Sequence, residues 1–116
     1  MYHFIPNCTR CLIPMRAMGS MRYILSIDQG TSSSRAILFN KEGKIVQKAQ
    51  QKLQLYCPKP GWAELDPIAI YESVENCLKE LNLTEKVSVG ITNQRESLVV
   101  WNKQGEPLCN SICRNN

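Results

Sequence analysis

The sequence contains no long apolar run, which excludes a membrane-spanning helix of the usual kind. None of its apolar stretches approaches the roughly 20 residues that such a helix needs. The length of 116 residues allows one domain of modest size. Hydrophobic residues make up 43% of the chain and charged residues 21%, which is typical of a folded globular protein and not of a disordered one.

The chain also lacks a basic stripe, because its excess of positive charge lies near the two ends. The formal net charge is +4, but Arg10, Arg16 and Arg114 account for three of the 14 basic residues. Residues 21–113 are therefore close to neutral. A nucleic-acid-binding surface normally shows a cluster of basic residues, so we expect no nucleic-acid partner.

The six cysteines allow two interpretations. Three disulfides would suit a small secreted protein, but no signal peptide is recognisable, so we expect reduced thiols and a cytoplasmic location. Cys8-x-x-Cys11 and Cys109-x3-Cys113 have spacings that zinc sites use. The second pair falls in a predicted strand and its disturbed tail, which favours ordinary buried or incidental cysteines.

The first part of the chain predicts an extension followed by a meander of strands. Residues 1–20, broken by Pro6 and Pro14, show no periodicity, and we expect them to lie outside a domain that covers residues 21–116. Apolar and β-branched runs then predict three antiparallel strands. They run from Tyr23 to Ile27, from Ser34 to Phe39, and from Lys44 to about Leu55.

The second part predicts a helix, a strand and a hairpin. Asp66 and Pro67 are typical of a helix N-cap and first helical residue. An apolar stripe at helical spacing follows, formed by Ile70, Val74, Cys77, Leu78 and Leu81. Val87 to Ile91 is a strand entered from a helix, which indicates parallel pairing with an earlier strand. Leu98 to Trp101 and Leu108 to Ile112 predict a hairpin, so the order is β-β-β-α-β plus a hairpin, an α/β fold.

A first candidate site lies in SIDQGTSSSRAILF, residues 26–39. Asp28 ends a strand, where a carboxylate can hold Mg²⁺ directly or through water. Gly30 allows a tight turn close to an anion, and Thr31, Ser32 and Ser33 can donate hydrogen bonds to phosphate oxygens. Arg35 matches phosphate geometry. The segment is not a Walker A loop, and the alternative interpretation is a hairpin turn rich in turn-forming residues.

A second candidate site is the polar run that follows the fourth predicted strand, Thr92-Asn93-Gln94-Arg95-Glu96. Ligands of α/β folds tend to bind at such strand ends. Arg95 and Glu96 together offer donors and acceptors, which is what the hydroxyls of a polyol require. The alternative interpretation is a surface turn held by a salt bridge.

Three stretches, IDQGTSSSRAILF, YCPKPGWAELDP and GITNQRESLVVW, carry a family resemblance in this order and spacing. Together they resemble the N-terminal part of the glycerol kinases, a branch of the FGGY carbohydrate kinase family, over roughly residues 22–112. The resemblance implies an RNase H-like, actin-type ATPase fold. It also implies phosphorylation of glycerol to sn-glycerol 3-phosphate with ATP and Mg²⁺.

The resemblance also assigns roles to individual residues. Thr31, Ser32, Ser33 and Arg35 match the positions that contact nucleotide phosphates, and Asp28 matches the acidic residue near the metal. Arg95 and Glu96 match the pair that hydrogen-bonds glycerol.

The family's catalytic base is an aspartate well beyond position 116, so we expect a truncated N-terminal domain that is inactive alone. Two alternatives stay open. One is a kinase for another polyol or sugar, and the other is a non-enzymatic truncated paralogue or remnant. The sequence does not settle the oligomeric state.

Overall fold

The computed structural model describes residues 22–114, so the expectation for residues 1–20 lies outside the described part of the chain. Within residues 22–114 no helix is both long enough and apolar enough to cross a membrane. The described residues form two small sheets and one helix. The α/β order expected from the sequence is confirmed, with one additional strand.

The larger sheet has four strands and contains the predicted meander. Strands β1 (Tyr23–Gln29), β2 (Ser33–Asn40) and β3 (Ile45–Lys52) pair as antiparallel neighbours. The turn from β2 to β3 forms because Asn40 accepts bonds from the amides of Glu42 and Lys44 through its side-chain oxygen, and because Gly43 adopts φ 77°. The turn from Asn40 to Lys44 thus sets the register of the hairpin formed by β2 and β3.

Strand β3 is shorter than the sequence predicts, since it ends at Lys52 and not near Leu55. The reason is the length of its partner. Strand β2 begins at Ser33, which pairs with Lys52, so the ladder has no further residue to continue on. The amide of Leu53 instead donates to the carbonyl of Ser32 at 2.9 Å, and the chain then leaves the sheet.

Helix α1 (Pro67–Glu80) begins where the sequence predicts. The Asp66 carboxylate accepts a 2.9 Å bond from the amide of Ile68, which satisfies one of the free N–H groups of the first turn. Ile70, the first residue of the predicted stripe, packs against a second buried cluster of Ala63, Leu65 and Cys113. The rest of the helix stripe packs on one face of the four-stranded sheet. The buried cluster between them comprises Leu25, Ile27, Ala36, Leu38, Ala49, Val74, Cys77 and Leu81. Burial in this cluster raises the pKa of the Cys77 thiol, so the group stays neutral.

Strand β5 (Val87–Thr92) returns to the sheet beside β1 and runs parallel to it, as expected for a strand that follows a helix. The strand order across the sheet is therefore β3-β2-β1-β5. In this register Asp28 at the end of β1 lies next to Thr92 at the end of β5. The two polar runs that follow these strands consequently leave the same edge of the sheet.

The second sheet has three strands, and one of them was not predicted. Strand β4 (Ala63–Leu65) lies just before the helix, in a stretch for which no strand was predicted, and it pairs with β7 (Ser111–Cys113). Strand β6 (Ser97–Leu98) pairs with the other side of β7. The predicted closing hairpin is present, but its two strands are shorter and its tip is held by a bridge between Trp101 and Pro107.

The side chain of Gln47, in edge strand β3, is hydrogen-bonded to the backbone just after the C-terminal end of helix α1. Gln47 donates from Nε2 to the carbonyl of Asn82 at 3.0 Å and accepts from the amide of Asn82 at 2.8 Å. The side-chain amide thus imitates both halves of a backbone pairing. This pair of bonds fixes where the connection to β5 starts.

Replacing Leu38 by Ala tests the packing between helix and sheet. Leu38 is 4% exposed, so we expect the substitution to lower the free energy of unfolding by about 3 kcal/mol, through lost burial and the cavity that remains. Leu108→Ala is the matched control, because Leu108 is 64% exposed and should lose less than about 0.5 kcal/mol. Equilibrium unfolding in urea measures both values. Equal losses at the two positions would contradict the described core.

Candidate functional site

The turn between β1 and β2 is closed by its own backbone. The amide of Gly30 donates to the carbonyl of Ser33 at 2.9 Å, and Thr31 and Ser32 project at the tip as exposed residues. A Cβ on Gly30 would lie 3.2 Å from the Ser33 oxygen, so a larger residue would crowd this contact. Glycine is favoured here by close approach of backbone to backbone, since its φ is not positive.

Asp28 and Arg35 are cross-strand partners and form an ion pair. Arg35 donates from Nη2 to Oδ2 of Asp28 at 2.7 Å, with 45% and 40% of the two side chains exposed. Both side chains lie on the sheet face opposite helix α1, because their neighbours Ile27 and Ala36 are buried beneath the helix. The carboxylate predicted for a metal and the guanidinium predicted for a phosphate therefore neutralise each other in this structure.

The hydroxyls of the turn fall into two groups. Ser33 accepts a 3.0 Å bond from Nε2 of Gln50 and stays half-buried beside the turn. Ser34 is fully buried and shares a 2.7 Å hydrogen bond with Ser73 of helix α1. Thr31, Ser32 and Ser33 thus lie at or beside the tip, whereas Ser34 fastens the strand to the helix.

Arg95 and Glu96 lie in the loop between β5 and β6 and are both exposed. Glu96 accepts a 2.7 Å bond from Nη1 of Arg114, and the two side chains are 57% and 65% exposed. Sequence reasoning did not find this contact, because Arg114 follows β7 and reaches the loop only through the pairing of β6 with β7. Because Arg95 and Glu96 are both exposed, a small polar ligand can reach them.

Gln94 connects the two candidate sites, and sequence reasoning assigned it no role. Its Nε2 donates to Oε1 of Gln29 at 3.0 Å and to the carbonyl of Gly30 at 3.0 Å. Its Oε1 accepts from the hydroxyl of Ser97 and from Sγ of Cys113, the latter at 3.6 Å. The turn after β1 and the loop after β5 are therefore joined by hydrogen bonds.

The described residues offer one carboxylate at the turn and no cluster of metal-ligating side chains. No group of three or more His, Cys, Asp or Glu residues between Arg22 and Arg114 could hold a metal ion. Cys109 is exposed and Cys113 is buried, and both are free thiols, while Cys8 and Cys11 lie outside the described range. A single carboxylate fits Mg²⁺ that keeps several waters and binds phosphate oxygens, and it does not fit a structural zinc site.

Comparison with known proteins identifies the family. Residues 23–116 match the N-terminal domain of the FGGY family of carbohydrate kinases. The chain belongs to this family. Glycerol kinases are among the FGGY relatives to which it is similar. The one from Bacillus mycoides is 51% identical over 98 residues, and the one from Limosilactobacillus reuteri is 41% identical over 102 residues.

These alignments cover most of this chain but only part of the relatives. They include 78% and 82% of this chain and 20% of each glycerol kinase. The chain therefore spans about a fifth of the length of the FGGY relatives it matches. It corresponds to their N-terminal part, as the three sequence stretches indicated.

Solved structures of FGGY kinases confirm the fold class. A xylulose kinase from Rhodospirillum rubrum matches with a TM-score of 0.74 and 30% identity, covering 79% of this chain and 20% of that one. A Plasmodium falciparum glycerol kinase, solved with ADP, matches with a TM-score of 0.70 and 37% identity, covering 80% and 20%. The expected RNase H-like, actin-type ATPase fold is thus confirmed for the N-terminal part.

Substituting Gly30 by Ala tests the crowding in the turn. We expect Gly30→Ala to be at least about 1 kcal/mol less favourable than Gly90→Ala, because only the first places a Cβ against a backbone carbonyl. A Cβ at Gly90 would have no neighbour within 4 Å, so this strand position should gain from alanine. Urea unfolding of both variants gives the difference. Two equally tolerated substitutions would show that the turn yields without cost.

Replacing Asp28 by Asn tests whether its ion pair contributes to folding. The pair is solvent-exposed, so we expect the free energy of unfolding to change by less than about 1 kcal/mol. Glu96→Gln removes the charge from another exposed pair, Glu96–Arg114, and serves as the matched control. Thermal and urea unfolding measure both. A loss above about 2 kcal/mol for Asp28→Asn alone would make this carboxylate a structural residue.

Proposed function

We propose that this chain is the N-terminal part of an ATP-dependent glycerol kinase, which converts glycerol to sn-glycerol 3-phosphate. The observation that carries the proposal is the parallel pairing of β1 with β5, which brings the turn of residues 28–35 and the loop of Arg95 and Glu96 to one edge of the sheet. A phosphoryl donor and its acceptor must meet at one place. The two polar segments lie side by side at the ends of β1 and β5, which supports the proposal.

The residues of the turn suit a nucleotide phosphate with its metal ion. We assign phosphate contacts to Thr31, Ser32, Ser33 and Arg35, and a contact with Mg²⁺ or its waters to Asp28. The metal ion would neutralise charge on the phosphate oxygens when bound. Thr31 and Ser32 are exposed, so a ligand can reach their amides and hydroxyls without any rearrangement of the core.

Binding of a metal-bound nucleotide would replace the Asp28–Arg35 ion pair. Each partner is held by the other at 2.7 Å in the described structure. Magnesium offers Asp28 a positive partner, and phosphate offers Arg35 a negative one, so the exchange keeps both charges compensated. An exposed ion pair contributes little free energy, so breaking it in this exchange costs little.

Arg95 and Glu96 are assigned to glycerol. A guanidinium donates to hydroxyl oxygens and a carboxylate accepts from hydroxyl protons, so the pair can orient a polyol that carries both. Glycerol is favoured over another polyol or sugar because the glycerol kinases reach 51% identity with this chain. The TM-scores of 0.74 for a xylulose kinase and 0.70 for a glycerol kinase reflect the shared fold and do not select a substrate.

Turnover by this chain alone is not expected. Phosphoryl transfer needs a positioned acceptor and a base or equivalent group for the attacking hydroxyl. Of the carboxylates in the two polar segments, Asp28 is engaged by Arg35 and Glu96 by Arg114. The family resemblance places the base in sequence beyond position 116, so we propose that the chain binds weakly and does not catalyse.

Titration of the ¹⁵N-labelled chain with Mg·ADP and then with glycerol tests this function. We expect Mg·ADP to shift the amide signals of residues 31–35, and glycerol to shift those of Arg95 and Glu96. Asp28→Asn should reduce the magnesium dependence of the first set, and Glu42→Gln, in the exposed turn between β2 and β3, is the charge-matched control because it also removes one negative charge.

A coupled assay of the same chain should show no glycerol-dependent ADP formation above background. Turnover well above background, with contaminating host kinase removed, would contradict the inactivity. Signal changes confined to residues outside both segments would contradict the assigned site.

A further inference from the structure

The Gly30 carbonyl accepts two side-chain hydrogen bonds in the described structure. Gln29 donates to it from Nε2 at 2.6 Å, and Gln94 donates to it from Nε2 at 3.0 Å. Gln29 is only 8% exposed, and its own Oε1 accepts the second Nε2 bond of Gln94. In this set of bonds, each nitrogen and each oxygen of the two side-chain amides makes at least one hydrogen bond.

The direction of this carbonyl fixes the direction of the next amide. All described peptide bonds are trans, and in a trans peptide the C=O of one residue and the N–H of the next point in opposite directions within one plane. Because the Gly30 oxygen is held toward Gln94, the N–H of Thr31 must point away from it. Thr31 is an exposed residue, so we expect this N–H to be accessible to a ligand.

The amide oxygen of Gln94 is held by residues of the second sheet. Its Oε1 accepts from the Ser97 hydroxyl and from the Cys113 thiol, and Ser97 and Cys113 are paired residues of β6 and β7. Arg95 and Glu96 lie between Gln94 and Ser97 in sequence. The loop that carries them is consequently closed at both ends by the same side chain.

We propose that Gln94 is a positioning residue that aims the Thr31 amide at the phosphate of the nucleotide and holds the Arg95–Glu96 loop in register with it. The proposal rests on the proposed function for the identity of the two ligands. Glutamine suits the task because it supplies two donors and one acceptor from one planar group. Glutamate keeps the acceptor and loses the donors, and methionine keeps the length and loses both.

Hydrogen exchange without ligand tests the link directly. In Gln94→Met, we expect the amide of Gly30, which donates to the Ser33 carbonyl, to exchange about tenfold faster than in the parent chain, because the Gln94 bond that holds this turn is absent. The amides of Ala36 and Ala49 in the core report global stability and should change less. Gln94→Glu should also speed exchange of the Gly30 amide while keeping the Ser97 contact. Gln104→Met, at an exposed position, is the matched control.

A measurement on the parent chain keeps the proposal testable if Gln94→Met does not fold. The side-chain NH₂ protons of Gln94 should exchange at least about tenfold more slowly than those of Gln104, and they should show contacts to Gly30 and Gln29 in nuclear Overhauser spectra. Equal exchange of the two side chains would overturn the proposal. So would a Gln94→Met variant in which the Gly30 amide keeps its protection.

Addition of Mg·ADP separates this inference from the proposed function. In the parent chain the signals of Thr31 to Ser33 should shift and the change should reach Arg95 and Glu96, whereas in Gln94→Met the distant change should disappear. A parent chain whose turn ignores Mg·ADP contradicts the proposed function, while the ligand-free exchange still decides whether Gln94 orients the turn. Distant changes that persist in Gln94→Met overturn the coupling.

Discussion

The parallel pairing of β1 with β5 is the constraint on which the remaining structure depends. Two parallel neighbours cannot be joined by a tight turn, so the chain must cross one face of the sheet, and helix α1 makes this crossing. The crossing buries the face that carries Leu25, Ile27 and Leu38. It also places the carboxyl ends of β1 and β5 side by side, and ligands of open α/β sheets bind at such strand ends. Core and candidate site thus arise from one connection.

Charge compensation shapes the same edge. Asp28 and Arg35 occupy opposed positions on neighbouring strands, and Glu96 and Arg114 are brought together by the pairing of the second sheet. Each acidic residue of the proposed site therefore has a basic partner without a ligand. Such pairs keep functional side chains oriented at little cost to stability, since exposed ion pairs contribute little in either direction. The site is organised mainly by its backbone and by amide side chains.

The sequence was sufficient wherever the structure is set by nearby residues. The N-cap at Asp66 and the turn after Asn40 depend on contacts within a few positions, and both were predictable from residue type. Strand β4 was missed because it has three residues and is defined by its pairing with β7, far along the chain. The end of β3 was placed too late because the start of its partner decides it.

The same limit applies to the candidate site. Asp28, Arg35, Arg95 and Glu96 could be singled out because charged residues within or directly after apolar strand runs are visible in the sequence. The residues that bond to this site from distant parts of the chain could not be predicted in this way. Gln94 meets Gln29 and Gly30 across 65 and 64 positions, and nothing in the local pattern distinguishes it from a surface glutamine. Its half-buried position becomes evident only when the two strand ends are placed side by side.

The bonds between Gln47 and Asn82 imply a limit on chain length. They hold the exit of helix α1 at β3, while β5 begins at Val87 on the opposite edge of the sheet. Three strand spacings separate these edges, about 14 Å. An extended chain of five residues reaches at most about 18 Å, so the connection has little slack. Loop length is therefore restricted here much as residue type is in the core. Removal of one residue would leave a reach of about 14 Å, no more than the gap itself, so the connection would have to be fully extended to keep both the Gln47–Asn82 bonds and the first pairing of β5.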